Sequence, residues 1–440
     1  MHEANLKIIA RLKRFLTLTS FYQEFVQKFS VSDQDFIRNR KLPFEKVVLF
    51  ITKLNKKSLS IELDRFFEEI GSEMECSVSA FSQQRVKLKP DFFRCWNKLL
   101  QKCFYLYYGE AVKRWKGYRI VAADGSTVSL INTPALSNYF GGQSNQFVNF
   151  VQAKTFYHYD VLNEIILLAE IKPYRCGEMN MAYKAVWEMP EDTVTIYDRN
   201  FSNYKMIALH LWQNKERKFL IRAKETQIRI KTFIQSGAHS CTVNIKPTPS
   251  AIVGLKKSGF EIKSDTLIKV RLVRVELPDS VEVLITNLWE EDGHLTEEFK
   301  DLYFMRWGVE TNISIQKNLL QLESFSGLTA CSVLQDFHAT IVMCNLHSIL
   351  IKAAQKTVEN ISTKRKYPMK INRNKAIGKL KANLMYLFIY RDPQSILQQL
   401  HDYFIKNVLP VREGRSFQRI RKNAQSKSKH KTFSNFKPAF

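Results

Sequence analysis

The sequence lacks the cysteine and histidine patterns of the commonest structural and catalytic metal sites. Its seven cysteines are an odd number and include no CxxC pair, which argues against a disulfide framework and against a zinc ribbon. Its nine histidines show no HExxH or comparable ligand spacing, so a histidine-based zinc hydrolase is not indicated. Scattered cysteines of this kind fit a reducing, cytoplasmic compartment.

Long apolar runs are also missing. No run approaches the ~20 residues that a transmembrane helix needs. The first residues, MHEANLKIIARLKRF, include an early acid and no continuous apolar core, so we expect no secretory signal. These absences predict a cytoplasmic protein without membrane association.

Acidic residues are scarce relative to basic ones. The 440-residue chain has 42 Asp and Glu against 67 Lys and Arg, a formal net charge of +25. Such an excess usually serves a polyanionic partner, and nucleic acid is the first expectation. With 45% hydrophobic and 12% aromatic residues, the chain can still bury a substantial core.

Changes of pattern divide the chain into three predicted domains. Residues 1–112 are mostly helix-patterned and basic, and we expect a DNA-binding region there. Residues 113–350 alternate strands and helices, which predicts a mixed α/β domain, with a β-rich insertion at about 225–285. Residues 351–440 are predicted to be helical and to end in a basic arm, since nine Lys or Arg and a single acid lie between Arg412 and Lys437.

One basic segment in the first domain is a candidate DNA contact. In SVSAFSQQRVKLKPDFF, Ser79 is a plausible helix N-cap, and Arg85 and Lys87 follow near the helix end. A short basic helix of this kind suits a DNA groove or backbone. A structural helix with a solvated basic face is an equally good interpretation.

The most informative feature is a polar stripe in the run YFMRWGVETNISIQK. On a continuous α-helix, at about 100° per residue, Tyr303, Arg306, Glu310 and Lys317 fall within about 60° of arc. An acid, two cations and a phenol on one stripe suit a metal site beside an anion. The alternative is a solvated helix face with an ion pair.

Two further acids follow predicted strands. Asp124 ends the apolar run 118–123, and Asp198 follows the strand predicted at 193–197. Acids at strand ends can line a site beyond the sheet edge, although turn chemistry also favours Asp there. Together with Glu310 they could hold two Mg²⁺ ions for attack on a phosphodiester. Glu178, Glu188 and Glu323 are alternative acids, for which capping or surface roles are expected.

These motifs resemble those of DDE transposases of the insertion-sequence 4 group. That group has the signature Y-(2)-R-(3)-E-(6)-K, a strand-end DG[ST] motif and a D-R-x-F-x-x-Y-like motif. The matching residues are Tyr303, Arg306, Glu310 and Lys317 for the signature, Asp124, Gly125 and Ser126 for the second motif, and Asp198, Arg199, Phe201 and Tyr204 for the third. The resemblance covers about 70–350, and the SAFSQQR segment looks like the family's DNA-binding region.

The resemblance implies an RNase H-like catalytic core interrupted by a β-rich insertion, with Asp124, Asp198 and Glu310 as ligands of two Mg²⁺ ions, for which Mn²⁺ can substitute. It also implies that Tyr303 and Arg306 hold the terminal phosphate and Lys317 a neighbouring one. The implied partners are the terminal inverted repeats, target DNA and a second copy in a synaptic complex. The implied location is the bacterial cytoplasm, at the nucleoid.

The sequence departs from the family in two places. Asn200 stands where the family often has Gly, and Asn tolerates a left-handed turn better than most residues. The predicted insertion also lacks the tryptophan on which some members stack a flipped base, although Phe233 or Phe260 could take that part. Two other functions remain open: a structure-selective nuclease on the same core, and a degenerate copy that binds DNA without cutting it.

Overall fold

The computed structural model describes residues 1–38, 41–72, 76–144, 149–212, 215–278, 280–363, 365–389 and 392–412. The predicted basic arm therefore lies outside the described residues, apart from Arg412 at its start. Every structural statement below refers to the described residues.

The chain begins with helices, continues with a middle part that contains both strands and helices, and ends mainly with helices. The helices are α1 (His2–Phe21), α2 (Gln23–Phe29), α3 (Phe44–Thr52), α4 (Leu59–Glu69), α5 (Val78–Arg85), α6 (Asp91–Tyr108), α7 (Pro134–Phe140), α8 (Glu178–Ala185), α9 (Tyr204–Leu211), α10 (Ile228–Gln235), α11 (Pro249–Lys256), α12 (Glu298–Phe304), α13 (Trp307–Ser314), α14 (Ala330–Ser362), α15 (Arg373–Phe388) and α16 (Pro393–Lys406). The strands are β1 (Arg119–Ser129), β2 (Gly142–Ser144), β3 (Asn149–Asp160), β4 (Ile165–Pro173), β5 (Thr193–Tyr197), β6 (Lys218–Arg222), β7 (Ser240–Ile245), β8 (Ile268–Leu277), β9 (Ser280–Thr286), β10 (Met369–Ile371) and β11 (Val408–Pro410).

The chain forms two compact units that do not coincide with the three predicted domains. Unit 1 contains residues 1–112, 128–153 and 315–440, and unit 2 contains 113–127 and 154–314. The two ends of the sequence thus share one unit, because the long helix α14 packs against α3 and α6 from the beginning of the chain and α15 and α16 from its end.

Unit 1 is built around α14. A capping box starts this helix: the Thr329 hydroxyl accepts from the Ser332 amide and the Ser332 hydroxyl accepts from the Thr329 amide, which satisfies two groups that the first turn leaves free. By length and composition α14 could cross a membrane, but 94% of its most apolar window is buried inside the protein. That burial is typical of a core helix, and the apolar residues of the sequence predict such a buried helix over 330–358, among them Ile341, Val342, Met343, Leu346 and Ile349.

Unit 2 is organised by a mixed β-sheet. The strand order is β2-β3-β1-β5-β6-β9-β8-β7, and β4 also pairs with β3. β1, β5 and β6 are parallel neighbours, and β6, β9, β8 and β7 are paired antiparallel. The residues of β5, TVTIY, are all buried, as expected of a parallel strand covered on both faces.

Alternation of side chains separates the two faces of this sheet. On one face, Ile120, Ile196 and Leu220 share a core with Phe299 and Leu302 of α12. On the other face, side chains of β1, β5 and β6 pack with α8, α9, α10 and α11. Unit 2 is therefore a sheet covered by helices on both sides, with α12 and α13 on the first face.

The predicted β-rich insertion is only partly β-structure. The alternating run QIRIKTFI in this insertion predicts a strand, but the structure has helix α10 there, and α11 follows at Pro249–Lys256. The alternation is misleading because Ile228 is 81% exposed, whereas Ile230 and Phe233, three residues apart, are buried. β7, β8 and β9 continue the main sheet rather than forming a separate one.

Candidate active site

Strand register brings the first two candidate acids together. Ala122 of β1 lies opposite Ile196 of β5, so Asp124 and Asp198 each lie two residues beyond the last pair of the register. Neighbouring strands lie ~4.8 Å apart, and side chains two residues apart point to the same face. Asp124 and Asp198 therefore extend the face that carries α12 and α13.

The immediate surroundings of Asp124 differ from the prediction in one respect. β1 does not end at Asp124 but continues to Ser129, because β3 pairs alongside it: the Thr155 hydroxyl donates to the carbonyl group of Ser126, and the amide of Leu130, just after β1, donates to the carbonyl group of Val151. Beyond Ala122, β1 and β5 are no longer paired. Asp124 thus lies inside a strand, at the point where it separates from its parallel neighbour.

Gly125 is required by a close approach. A Cβ atom at this position would lie 2.5 Å from Cδ of Glu178, so any side chain would displace Glu178. Glu178 forms an ion pair with Lys154, with Oε1 and Nζ 3.3 Å apart. Since successive side chains point to opposite faces, Glu178 approaches β1 from the face opposite the Asp124 side chain.

Asp198 is held by Asn200, two residues further along the chain. Its Oδ1 accepts from the Asn200 amide at 2.8 Å, and its Oδ2 accepts from Asn200 Nδ2 at 3.1 Å. Asn200 is not among the described residues with positive φ. It therefore does not reproduce a left-handed turn but fixes the orientation of the Asp198 carboxylate.

The polar stripe was predicted to lie on one continuous α-helix, but the structure divides it between two helices. α12 ends at Phe304 and α13 begins at Trp307, with Met305 and Arg306 in a turn between them. Despite this break, the Arg306 side chain lies near both Glu310 and Tyr303, its neighbours within the stripe. Its Nη2 lies 2.9 Å from Glu310 Oε1, and its guanidinium lies 6.0 Å from the centre of the Tyr303 ring.

Electrostatics link all three candidate acids. The pKa of Asp124 is raised from 3.8 to about 6, mainly because the carboxyl group is partly buried, and also because Asp198 and Glu310 repel its charge. The Gly125 amide and Arg306 act in the opposite direction. Asp198 and Glu310 therefore lie within electrostatic range of Asp124.

The acids do not, however, form a ready-made ligand set. Among the described residues, no group of three or more His, Cys, Asp or Glu side chains is arranged so that it could hold a metal ion. Carboxylate oxygens are nevertheless the donors that Mg²⁺ and Mn²⁺ prefer. Because the negative charge at Asp124 is only partly compensated, the chemistry of this donor set fits a divalent cation.

Arg306 and Tyr303 provide the positive and hydrogen-bonding side of the site. Arg306 is 8% exposed, and its Nε is buried without a hydrogen-bond partner among the described residues. It also stacks on the Trp307 ring at 4.8 Å. The pKa of Tyr303 is raised to about 12, mainly by burial, so its phenol remains a hydrogen-bond donor at neutral pH.

Two other predicted phosphate-binding residues, Lys317 and Lys87, belong to unit 1 and not to unit 2. Lys317 lies in a π-helical turn, Ile315–Leu319, that belongs to unit 1, and its role stays a prediction. Lys87 is half-buried, with its Nζ 3.9 Å from Asp35. Of the alternative acids, Glu323 accepts a hydrogen bond from the Ser129 amide, and Glu188 is exposed.

Arg85 is wrongly predicted as a DNA contact. Its side chain is 4% exposed and pairs with Asp336 at 2.8 Å. It also donates to Gln335, Ser326 and the carbonyl group of Ser332. A guanidinium saturated in this way is structural. The helix that contains it is also capped by Ser77, which accepts from the Ala80 amide, and not by Ser79.

Sequence reasoning missed Arg222. Tyr197 of β5 lies opposite Ile221 of β6, so Arg222 stands at the level of Asp198 on the next parallel strand. Its guanidinium pairs with Glu282 at 2.6 Å and Glu225 at 3.3 Å. Placing the last residues of β5 and β6 side by side would have identified Arg222, but this requires knowing that the two strands are parallel neighbours.

Comparison with known proteins does not assign this chain to a family. No family model matches this chain, and no curated protein matches it. A cryo-EM structure of a piggyBac transposase synaptic complex with hairpin DNA is similar, with a TM-score of 0.41 and 14% sequence identity over 99% of this chain and 88% of that chain. A TM-score below 0.5 supports no conclusion about fold or activity, and the resemblance to the insertion-sequence 4 group stays a prediction.

Proposed function

We propose that this protein is a DNA transposase whose acidic site, formed by Asp124, Asp198 and Glu310, cleaves DNA at the ends of a mobile element and joins the 3′ ends to target DNA. The observation that carries the proposal is the placement of Asp124 and Asp198, each two residues beyond the last pair between two parallel strands, with Glu310 close enough to influence the pKa of Asp124. The four-residue signature through Tyr303 and Arg306 adds the chemistry of phosphate binding.

An RNase H-like core is part of the proposal. It is supported by the strand order β4-β3-β1-β5-β6. In that order, a short link makes β3 and β4 antiparallel neighbours, and β1, β5 and β6 run parallel. In open α/β sheets, sites form at the carboxyl ends of the parallel strands. Both strand acids lie at that edge.

Asp124, Asp198 and Glu310 would hold Mg²⁺, or Mn²⁺ in its place, and a bound divalent cation supplies Lewis-acid polarisation of a phosphodiester. Arg306 now compensates part of the charge of Glu310. Its planar guanidinium suits bidentate contact with a phosphate group. We infer that Arg306 and Tyr303 orient the terminal phosphate, while Asn200 keeps the Asp198 carboxylate in place.

Cation binding can be tested without any DNA. Mn²⁺ binding followed by electron paramagnetic resonance, and the change in melting temperature on adding Mg²⁺, should both be weakened in Asp124→Asn and in Glu310→Gln. Asp192→Asn is the matched control, because Asp192 precedes β5 at its opposite end and pairs with Arg114 and Arg119. Equal binding by all three variants would remove these acids from the cation site.

The decisive experiment uses DNA fragments that carry the inverted repeats flanking the gene, with and without Mg²⁺, and measures nicked and joined products. Asp124→Asn should reduce cleavage by at least about 100-fold, since even groups that only support metal ligands change activity by about 10–100-fold. Binding of the end DNA should be largely kept. Unchanged cleavage would reject the assignment of Asp124.

The same experiment separates the two competing functions. Cleavage without joining, on DNA without repeats, would indicate a nuclease, and binding without cleavage would indicate a degenerate copy. With a net charge of +25, DNA affinity should fall steeply as salt rises. The second copy and the two DNA ends of a synaptic complex belong to the proposal, and gel mobility of the complex formed with end DNA tests them.

A further inference from the structure

The sheet of unit 2 ends in an unprotected strand, β7. Its residues, SCTVNI, include no charge and no proline, and residues 232–245 contain no Asp, Glu, Lys or Arg. The strand at the opposite end, β4, carries Glu170, Lys172 and Pro173. Charges and proline are the usual protection of an edge against pairing with another strand, and β7 has neither.

Hydrogen bonds show which backbone groups of β7 face outward. The amide of Arg274 in β8 donates to the carbonyl group of His239, so the odd-numbered residues of this stretch face β8. The guanidinium of Arg229 donates to the carbonyl group of Asn244, which therefore points away from β8. By alternation, the backbone groups of Ser240 and Thr242 also point outward, along an edge that pairs with no other strand in the described residues.

An apolar groove accompanies this edge. It has a volume of about 470 Å³ and lies between α10 and β7, where Phe233, Cys241 and Val243 line it. Ile228, at the start of α10, is also part of the groove and is 81% exposed. The edge thus offers both backbone hydrogen-bonding groups and apolar surface.

We propose that a second copy of this chain pairs with this edge, β7 against β7 in antiparallel orientation. An antiparallel edge is complementary to itself, because each outward residue presents both a donor and an acceptor. The stretch 232–245 carries no Asp, Glu, Lys or Arg of its own, so pairing along it adds no like-charge contact between two chains that each carry +25. Arg229, which also lines the groove, is already engaged by the Asn244 carbonyl group.

The register follows from the groups already engaged. Arg229 occupies the Asn244 carbonyl group, and the Ala238 amide donates to Ser236 Oγ. The pairing that leaves both bonds intact places Ser240 opposite Thr242 of the second copy. The two-fold axis then passes beside Cys241. The two Cys241 residues form a non-hydrogen-bonded pair with Cα atoms ~4.5 Å apart, which is within the ~4.4–6.8 Å that a disulfide spans.

The proposed function requires a second copy, and β7 would be the surface through which the two copies associate. The inference itself is argued from the strand edge and not from catalysis. It is therefore tested without DNA, and its failure would leave the acidic site untouched. The association should also respond to salt in its own way: screening weakens the repulsion between two basic chains, so self-association should strengthen with salt while DNA binding weakens.

Oxidative crosslinking of the DNA-free protein tests the register. Treatment with copper phenanthroline should give a disulfide-linked dimer on a non-reducing gel. That dimer should disappear in Cys241→Ser and persist in Cys95→Ser, the matched control, since Cys95 is an exposed thiol elsewhere on the chain. Absence of a dimer, or its persistence in Cys241→Ser, would overturn the register.

Thr242→Pro tests the edge itself. Proline removes the outward N–H and is tolerated at an edge strand, so unit 2 should keep its melting temperature while the dimer dissociation constant rises at least about tenfold. Thr242→Val keeps the N–H and should dimerise like the parent protein by analytical ultracentrifugation. A parent protein that stays monomeric at every concentration and salt, or equal dimerisation of Thr242→Pro, would overturn the proposal.

Discussion

Replacing Asp124 by Asn should stabilise the protein at pH 8, although it removes a proposed catalytic group. The pKa of Asp124 is about 6 in the fold, against 3.8 for the same carboxyl group in water. At about 1.4 kcal/mol for each pKa unit, the difference corresponds to about 3 kcal/mol. Because the carboxyl group is only partly buried, about 1–3 kcal/mol is the expected gain.

The sign follows from proton linkage. A raised pKa means that the folded protein binds more protons than the unfolded chain between pH 3.8 and about 6. The contribution of this group to the free energy of unfolding is therefore greatest below pH 3.8 and is lost as pH rises through about 6. Asn cannot ionise, so the advantage of Asp124→Asn should be small at pH 4 and fully developed at pH 8.

Local hydrogen bonding should survive the substitution. The Gly125 amide donates to Asp124 Oδ1 at 2.8 Å, and an Asn side-chain oxygen can accept the same bond. What the substitution removes is the buried negative charge and its repulsion by Asp198 and Glu310. The predicted gain is therefore electrostatic rather than a gain in packing.

The assay is the urea midpoint of the transition that reports on unit 2, compared at pH 5 and pH 8 for the parent and two variants. Asp192→Asn is the control, since its carboxylate pairs with Arg114 at 2.5 Å and its loss should bring no gain. A lower midpoint for Asp124→Asn at pH 8, or a gain that does not change with pH, would refute the electrostatic reasoning. Comparison at equal pH cancels other titrating groups.

Two further predictions concern buried groups outside the acidic site. Burial lowers the pKa of His158 and of His210 from 6.5 to about 3. Between these pH values the unfolded chain binds more protons than the folded protein, so the free energy of unfolding should fall as pH drops below about 6.5. Urea titrations at several pH values should show that His158→Leu makes this dependence on pH weaker. Asp336→Asn should lower the free energy of unfolding by about 3–5 kcal/mol, because it leaves the Arg85 guanidinium buried without its partner, whereas Lys87→Ala should change it by less than about 1 kcal/mol in the same assay.

Local signals were sufficient where an element is regular and its burial is uniform. Thr193–Tyr197 and the long buried helix after residue 330 are confirmed, since continuous burial leaves a clear apolar pattern. Asp198 was placed correctly after its strand for the same reason. The pattern of a single segment was enough in each case.

Signals failed where the outcome depends on distant partners. Arg85 looked like a solvated base because its partner Asp336 is 251 residues away. Asp124 looked like a strand end because pairing with β3, which carries β1 on to Ser129, is not visible in the apolar run alone. The break between α12 and α13 leaves the spacing of Tyr303, Arg306 and Glu310 unchanged, so no periodicity could reveal it.

The charge distribution in unit 2 distinguishes a functional site from a structural ion-pair network. In a structural network each buried charge has a counterion, as Arg271 has in Glu290, with Nη2 and Oε2 2.8 Å apart. Around Asp124 the compensation is incomplete: Arg306 lowers its pKa, yet burial and the two neighbouring carboxylates still raise it to about 6. Arg306 is itself paired with Glu310, so it cannot fully neutralise a second acid. Strand register places that uncompensated charge at the carboxyl ends of parallel strands, where a cation could supply the missing positive charge.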